Sequence, residues 1–153
     1  MKHLLIAMLV LAFSMPSLAK ELPNVDLMVS RINDSGFTKS NEWKDIGDSK
    51  SQSVKNGVIF VSKNNVSSMM TIAGESEAEI MLSYSFANLH CVTTSLSAIN
   101  MLQNETLKKS MMESFTSALG AYENKVSTLV WGYHFKTKLT KTKLGLIASC
   151  SLE

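Results

Sequence analysis

Apolar positions in this chain change period several times, and each change marks an element. Val25, Met28, Val29 and Ile32 recur at helical spacing behind Asn24, a residue suited to cap a helix, with Asp26 in the favourable first turn and Gly36 at the end. From residue 38 to residue 56 the apolar anchors thin out to Trp43 and Ile46 among Ser, Lys and Asp, which predicts a mobile surface loop with at most one short strand. Residues 58–61 are β-branched and aromatic, and residues 66–73 follow across Lys63-Asn64-Asn65, the pattern of a hairpin. Ile80, Leu82, Tyr84 and Phe86 then alternate with Glu79, Met81, Ser83 and Ser85, the period-2 signature of a strand with one apolar face. A competing signal sits just upstream, because Ser76-x-x-Glu79 is a capping box that opens helices. The length of the alternation favours the strand.

The period changes again downstream. Leu89, Val92, Leu96, Ile99 and Leu102 step by three or four, and Cys91 falls at the start of that predicted helix. Gln103-Asn104 interrupts it, and Asn104 is placed to cap a second helix carrying Leu107, Met111, Phe115, Leu119 and Tyr122 on one face. Lys109 and Glu113 form an i,i+4 pair on the opposite side, completing a helical hairpin. After Asn124 alternation returns. Leu129, Trp131, Tyr133, Phe135 and Leu139 face one way, while Val130, Gly132, His134, Lys136 and Lys138 face the other. Leu144, Leu146, Ala148, Cys150 and Leu152 continue in a last strand. Segregated runs of strands and helices predict an α+β fold, an antiparallel sheet packed against a helical hairpin.

The first 19 residues stand apart. A basic start at Lys2 precedes an uninterrupted apolar run over residues 4–13, and Ser14-Met15-Pro16 breaks any helix before Ser17-Leu18-Ala19. Small residues at Ser17 and Ala19 match a signal-peptidase site, so the reading is a cleaved signal peptide, residues 1–19, and a single domain, residues 20–153. The uncharged stretch is short for a membrane span of about 20 residues. The expected destination is the bacterial periplasm or the exterior. Export gives meaning to Cys91 and Cys150, the only two cysteines, since an oxidising compartment favours joining them. The closed loop of about 60 residues is worth about 4 kcal/mol in the chain-entropy picture.

Composition narrows the role without naming it. The chain of 153 residues is 45% hydrophobic and 18% charged with a formal charge of +2, which excludes disorder and lacks the dense basic footprint of a nucleic-acid binder. Chemistry-bearing motifs are sparse. There is no Gly-x-Ser-x-Gly elbow, no His-x-x-x-His, no Cys-x-x-Cys, no acidic calcium loop and no phosphate-cradling glycine loop, so neither a metal nor a cofactor is implied. Met69-Met70 and Met111-Met112 read as core packing rather than soft-metal ligands. A small cell-envelope hydrolase would have to pair His90 or His134 with a carboxylate such as Glu75, Glu77 or Glu79. A third possibility is an apolar ligand held between the sheet and the helical hairpin.

One local bias remains. Lys136, Lys138, Lys141 and Lys143 fall within eight residues, and no acid occurs from residue 124 to residue 152. On an edge strand such lysines discourage unwanted strand addition. As a functional feature they form an electropositive stripe, with Trp131 and Tyr133 as aromatic anchors beside it. The leading expectation is therefore a non-enzymatic exported protein-binding domain, of the immunity, inhibitor or accessory kind. Its partner would be another exported or envelope protein with an acidic surface, and membrane contact would be transient if it occurs.

Overall fold

Asn24 opens the first helix, α1 (Val25–Asp34), as its Oδ1 accepts the Leu27 N–H at 2.9 Å, and Met28 and Ile32 form its buried stripe. The computed structural model describes residues 20–143 and 145–153, so the predicted leader and Leu144 lie outside the described residues. After α1 the expected loop proves to be sheet. Strands β1 (Lys44–Ile46) and β2 (Ser49–Val54) pair antiparallel across the two-residue turn Gly47-Asp48, where Gly47 takes φ +60°. The reason is compositional. Strand β2 reads Ser-Lys-Ser-Gln-Ser-Val and buries only Gln52, so it shows no apolar alternation. Its order comes from its neighbour β3 (Gly57–Ser62), to which residues 50–54 pair in register. Strand β4 (Asn65–Ile72) closes the predicted hairpin, joined to β3 through Lys63-Asn64.

The expected strand over residues 80–86 is helix. Helix α2 (Glu77–Ala98) starts from the capping box: Ser76 Oγ accepts the Glu79 N–H at 3.3 Å, and Glu79 Oε2 accepts the N–H groups of Ser76 and Glu75. Residues 77–82 are all exposed, so no core face constrains their pattern and the alternation there carried no burial information. Cys91 accordingly lies inside α2 rather than at a helix start. From residue 90 to residue 99 every position is buried, because the sheet lies beneath α2 while α1 and α3 (Glu105–Ser117) flank it. Asn104 caps α3 as expected, accepting the Leu107 N–H at 3.0 Å. Met111 and Phe115 are its buried face, whereas Tyr122, beyond a 3₁₀ turn at Ala118–Gly120, is exposed.

Strands β5 (Val126–Val130), β6 (Tyr133–Thr142) and β7 (Gly145–Leu152) complete the sheet. Trp131 and Gly132 form the β5–β6 turn with φ of +50° and +87°, splitting what alternation presented as one strand. That turn shifts the parity. Val130 and Tyr133 are buried, while Leu129 and Trp131 stand exposed. The seven strands run in the order β1-β2-β3-β4-β7-β6-β5, each antiparallel to its neighbour, so two meanders join where β7 pairs with β4.

All three helices cover one face, giving an α+β architecture. Met70, Leu96, Met111, Phe115, Phe135 and Leu139 fill the main core, and Met28, Ile32, Ile59 and Val61 fill a second cluster under α1. Cys91 and Cys150 are joined, with Cα atoms 6.1 Å apart, tying the middle of α2 to β7.

Candidate interaction surface

Period-2 geometry gives the sheet two faces, and no described element covers the second. Its residues line up across the strands. One row runs Ser51, Phe60, Ser67, Ser151, Lys136, Ser127, and the next runs Ser53, Val58, Met69, Ser149, Lys138. At about 4.8 Å between strands, the longer row spans about 24 Å. The surface is hydroxyl-rich, with Val58 and Met69 as exposed apolar points.

The four candidate lysines do not form one stripe. Lys136 and Lys138 project from β6 on this open face, whereas Lys141 follows the opposite parity and Lys143 lies in the β6–β7 turn. Strand β6 is not an edge over its first half, where β5 pairs with residues 133–137, but its second half lacks that neighbour. There Glu123 takes the strand's place: its N–H donates to the Leu139 carbonyl at 3.0 Å and its Oε1 accepts the Lys141 N–H at 2.9 Å. Its Oε2 also lies 3.4 Å from Lys138 Nζ. Lys136 pairs with Glu153, and that hydrogen bond holds the Glu153 carboxyl below the usual carboxylate range. Lys125, preceding β5, joins the group. Together Lys125, Lys136 and Lys138 surround a depression of about 160 Å³ whose walls carry the hydroxyls of Ser67, Ser149 and Ser151. Neither Lys125 nor these serines stood out in the sequence, although the serines occupy the polar alternate positions of β4 and β7.

The aromatic pair is divided as well. Trp131 is 51% exposed at the turn, whereas Tyr133 is 3% exposed and its hydroxyl donates to the Glu21 carbonyl at 3.4 Å. Trp131 is therefore a surface residue and Tyr133 a packing residue. The start of the described chain folds against this turn: the Lys20 N–H donates to the Gly132 carbonyl at 2.8 Å, and Lys20 Nζ stands 3.7 Å from the Trp131 ring centroid. Such a cation–π contact orients the indole.

The histidines part company. His90 is 1% exposed, with Nδ1 3.2 Å from Ser68 Oγ and its ring 4.9 Å from that of Phe37. Burial lowers its pKa to about 4, and Nε2 has no hydrogen-bond partner among the described residues. This imidazole–hydroxyl pair has the elements of a nucleophile and base, yet Ser68 is 2% exposed, which denies a substrate access to either group. His134 is exposed and pairs through its backbone with Glu153. Glu75, Glu77 and Glu79 share no strand face: Glu79 is spent on the helix cap, and no carboxylate hydrogen-bonds either imidazole among the described residues.

Among the described residues there is no cluster of three His, Cys, Asp or Glu side chains placed to hold a metal ion, and no helix long and apolar enough to cross a membrane. The space between sheet and helices, where an apolar ligand was the third expectation, is filled by core side chains such as Met70, Phe115 and Phe135. A separate apolar groove of about 330 Å³ lies beside the exposed start of α2, lined by Ala73, Leu82 and Phe86. Comparison of the chain with protein-family models, with curated proteins and with solved structures finds no match.

Proposed function

We propose that this is an exported, non-enzymatic protein-binding domain of the bacterial cell envelope, acting as an immunity, inhibitor or accessory factor, and that it docks an acidic protein partner on its uncovered sheet face. The observation that carries this reading is the convergence of Lys125, Lys136 and Lys138 with three serine hydroxyls on a broad surface without a helical layer. Ammonium groups supply long-range attraction and hydroxyls supply adaptable short-range donors. The internal partners Glu153 and Glu123 hold two lysines in place. The exposed Lys138–Glu123 pair contributes at most about 1 kcal/mol, so a partner's carboxylate can replace Glu123 at little cost. Trp131, 51% exposed at one end of β6, offers an aromatic anchor. The Cys91–Cys150 bond supports export, because such links persist in oxidising compartments.

Affinity capture from the native envelope, followed by titration of the purified partner, tests this. The double change Lys136→Glu with Lys138→Glu is expected to weaken binding about tenfold or more and to flatten its salt dependence. Unchanged affinity and an unchanged salt slope would refute the surface. A second reading rests on the groove at Ala73, Leu82 and Phe86, which suits an apolar ligand. An extra mass in native mass spectrometry of protein purified from its host would favour that reading instead.

A further inference from the structure

On the helical side of the molecule, away from the sheet face, α1 and α2 end close together and residues 99–104 lead into α3. The last turns of the two helices and this connection enclose a hollow of about 280 Å³. That is near the lower bound, about 300 Å³, of pockets that take metabolite-sized ligands. Its polar equipment is unusual. Arg31 enters from α1, donating one hydrogen bond to the Ala98 carbonyl at 3.2 Å, and forms no ion pair among the described residues. Asp34, three residues on, is exposed and likewise lacks an ion pair or hydrogen-bond partner among the described residues. Opposite charges at this spacing on a helix are neighbours and commonly pair. Here both remain open to a third party.

Ser97, 3% exposed, forms part of the floor of the hollow, with its Oγ shielded and without a hydrogen-bond partner among the described residues. Asn100 and Gln103 contribute exposed side-chain amides, and Met101 and Leu102 are half-buried at the wall.

We propose that this hollow binds a small zwitterion of the free α-amino acid class. The carboxylate meets the Arg31 guanidinium, whose planar fork suits it. The ammonium meets the Asp34 carboxylate, the exposed amides of Asn100 and Gln103 supply further hydrogen bonds, and the aliphatic part of the ligand lies on Met101 and Leu102. A simple anion would satisfy Arg31 but be repelled by Asp34, and a simple cation would meet the converse conflict. This site is independent of the sheet face and stands or falls without it.

Thermal-shift titration of the disulfide-bonded chain with the common L-amino acids, one at a time at millimolar concentration, tests the assignment. At least one amino acid is expected to raise Tm in a dose-dependent way. Its carboxamide and its N-acetyl derivative are expected to bind about tenfold more weakly or worse, each having lost one charge-assisted contact. Arg31→Gln and Asp34→Asn should each produce a similar loss. Asp34 is exposed and unpaired, so Asp34→Asn should leave the unliganded Tm in place and separates binding from folding. No shift with any amino acid, equal binding of the blocked derivatives, or full binding by Asp34→Asn would each overturn the proposal.

Discussion

His90 is enclosed by Phe37, Phe86 and Ser68, and burial lowers its pKa from the ordinary 6.5 to about 4. The folded state therefore prefers the neutral ring, while the unfolded chain takes up a proton first as pH falls. Stability from this residue is fully present above about pH 6.5 and is lost progressively down to about pH 4, an effect of about 3 kcal/mol. Denaturant titrations between pH 7 and pH 5 are expected to show this decline in the native chain and to lose most of it in His90→Gln. An equal decline in both would place the proton elsewhere. At this scale the sequence was informative about identity and poor on surroundings. His90 and Trp131 stand out by residue type, but nothing local distinguishes a sealed imidazole from an exposed one. Tyr133 was misplaced for a related reason. Its burial depends on Glu21, a residue distant in the chain, as well as on the turn two positions earlier.

Element by element, legibility followed how strongly each segment is tied to one buried face. Helix α3 and the β3–β4 hairpin have clear stripes and clear turns, and both were readable. Strand β2 was not, since only Gln52 is buried and its pairing with β3 defines it. At residues 77–82 the capping box outweighed a false alternation, because exposed side chains obey no period. This yields a local prediction. Ser76→Ala removes a cap worth about 1 kcal/mol. Because the first turns of α2 extend beyond the core, the loss should appear as fraying. Amide hydrogen exchange is expected to accelerate at residues 77–82 while the global Tm stays nearly constant. A Tm drop with unchanged local exchange would show that the overhang is coupled to the core.

For the whole molecule, α+β class and the Cys91–Cys150 link were legible, but the path of the sheet was not. Pairing β7 with β4 is a long-range choice that no turn motif announces. That pairing brings Ser149 and Ser151 beside Ser67, while the local β6–β7 hairpin sets them beside Lys136 and Lys138, creating the surface on which the functional reading depends. The four-lysine cluster was visible as a run, yet strand parity divides it, leaving two lysines on the open face and recruiting Lys125 from outside. The most direct test is site-specific photocrosslinking in the native host, with the reactive group placed at Ser67 on the open face or at Thr116 on the exposed side of α3. Position 67 is expected to give one discrete adduct with an acidic envelope protein, reduced by Lys136→Glu with Lys138→Glu, and position 116 none. Adducts from position 116 alone, or an adduct at 67 indifferent to both lysines, would contradict the proposed surface.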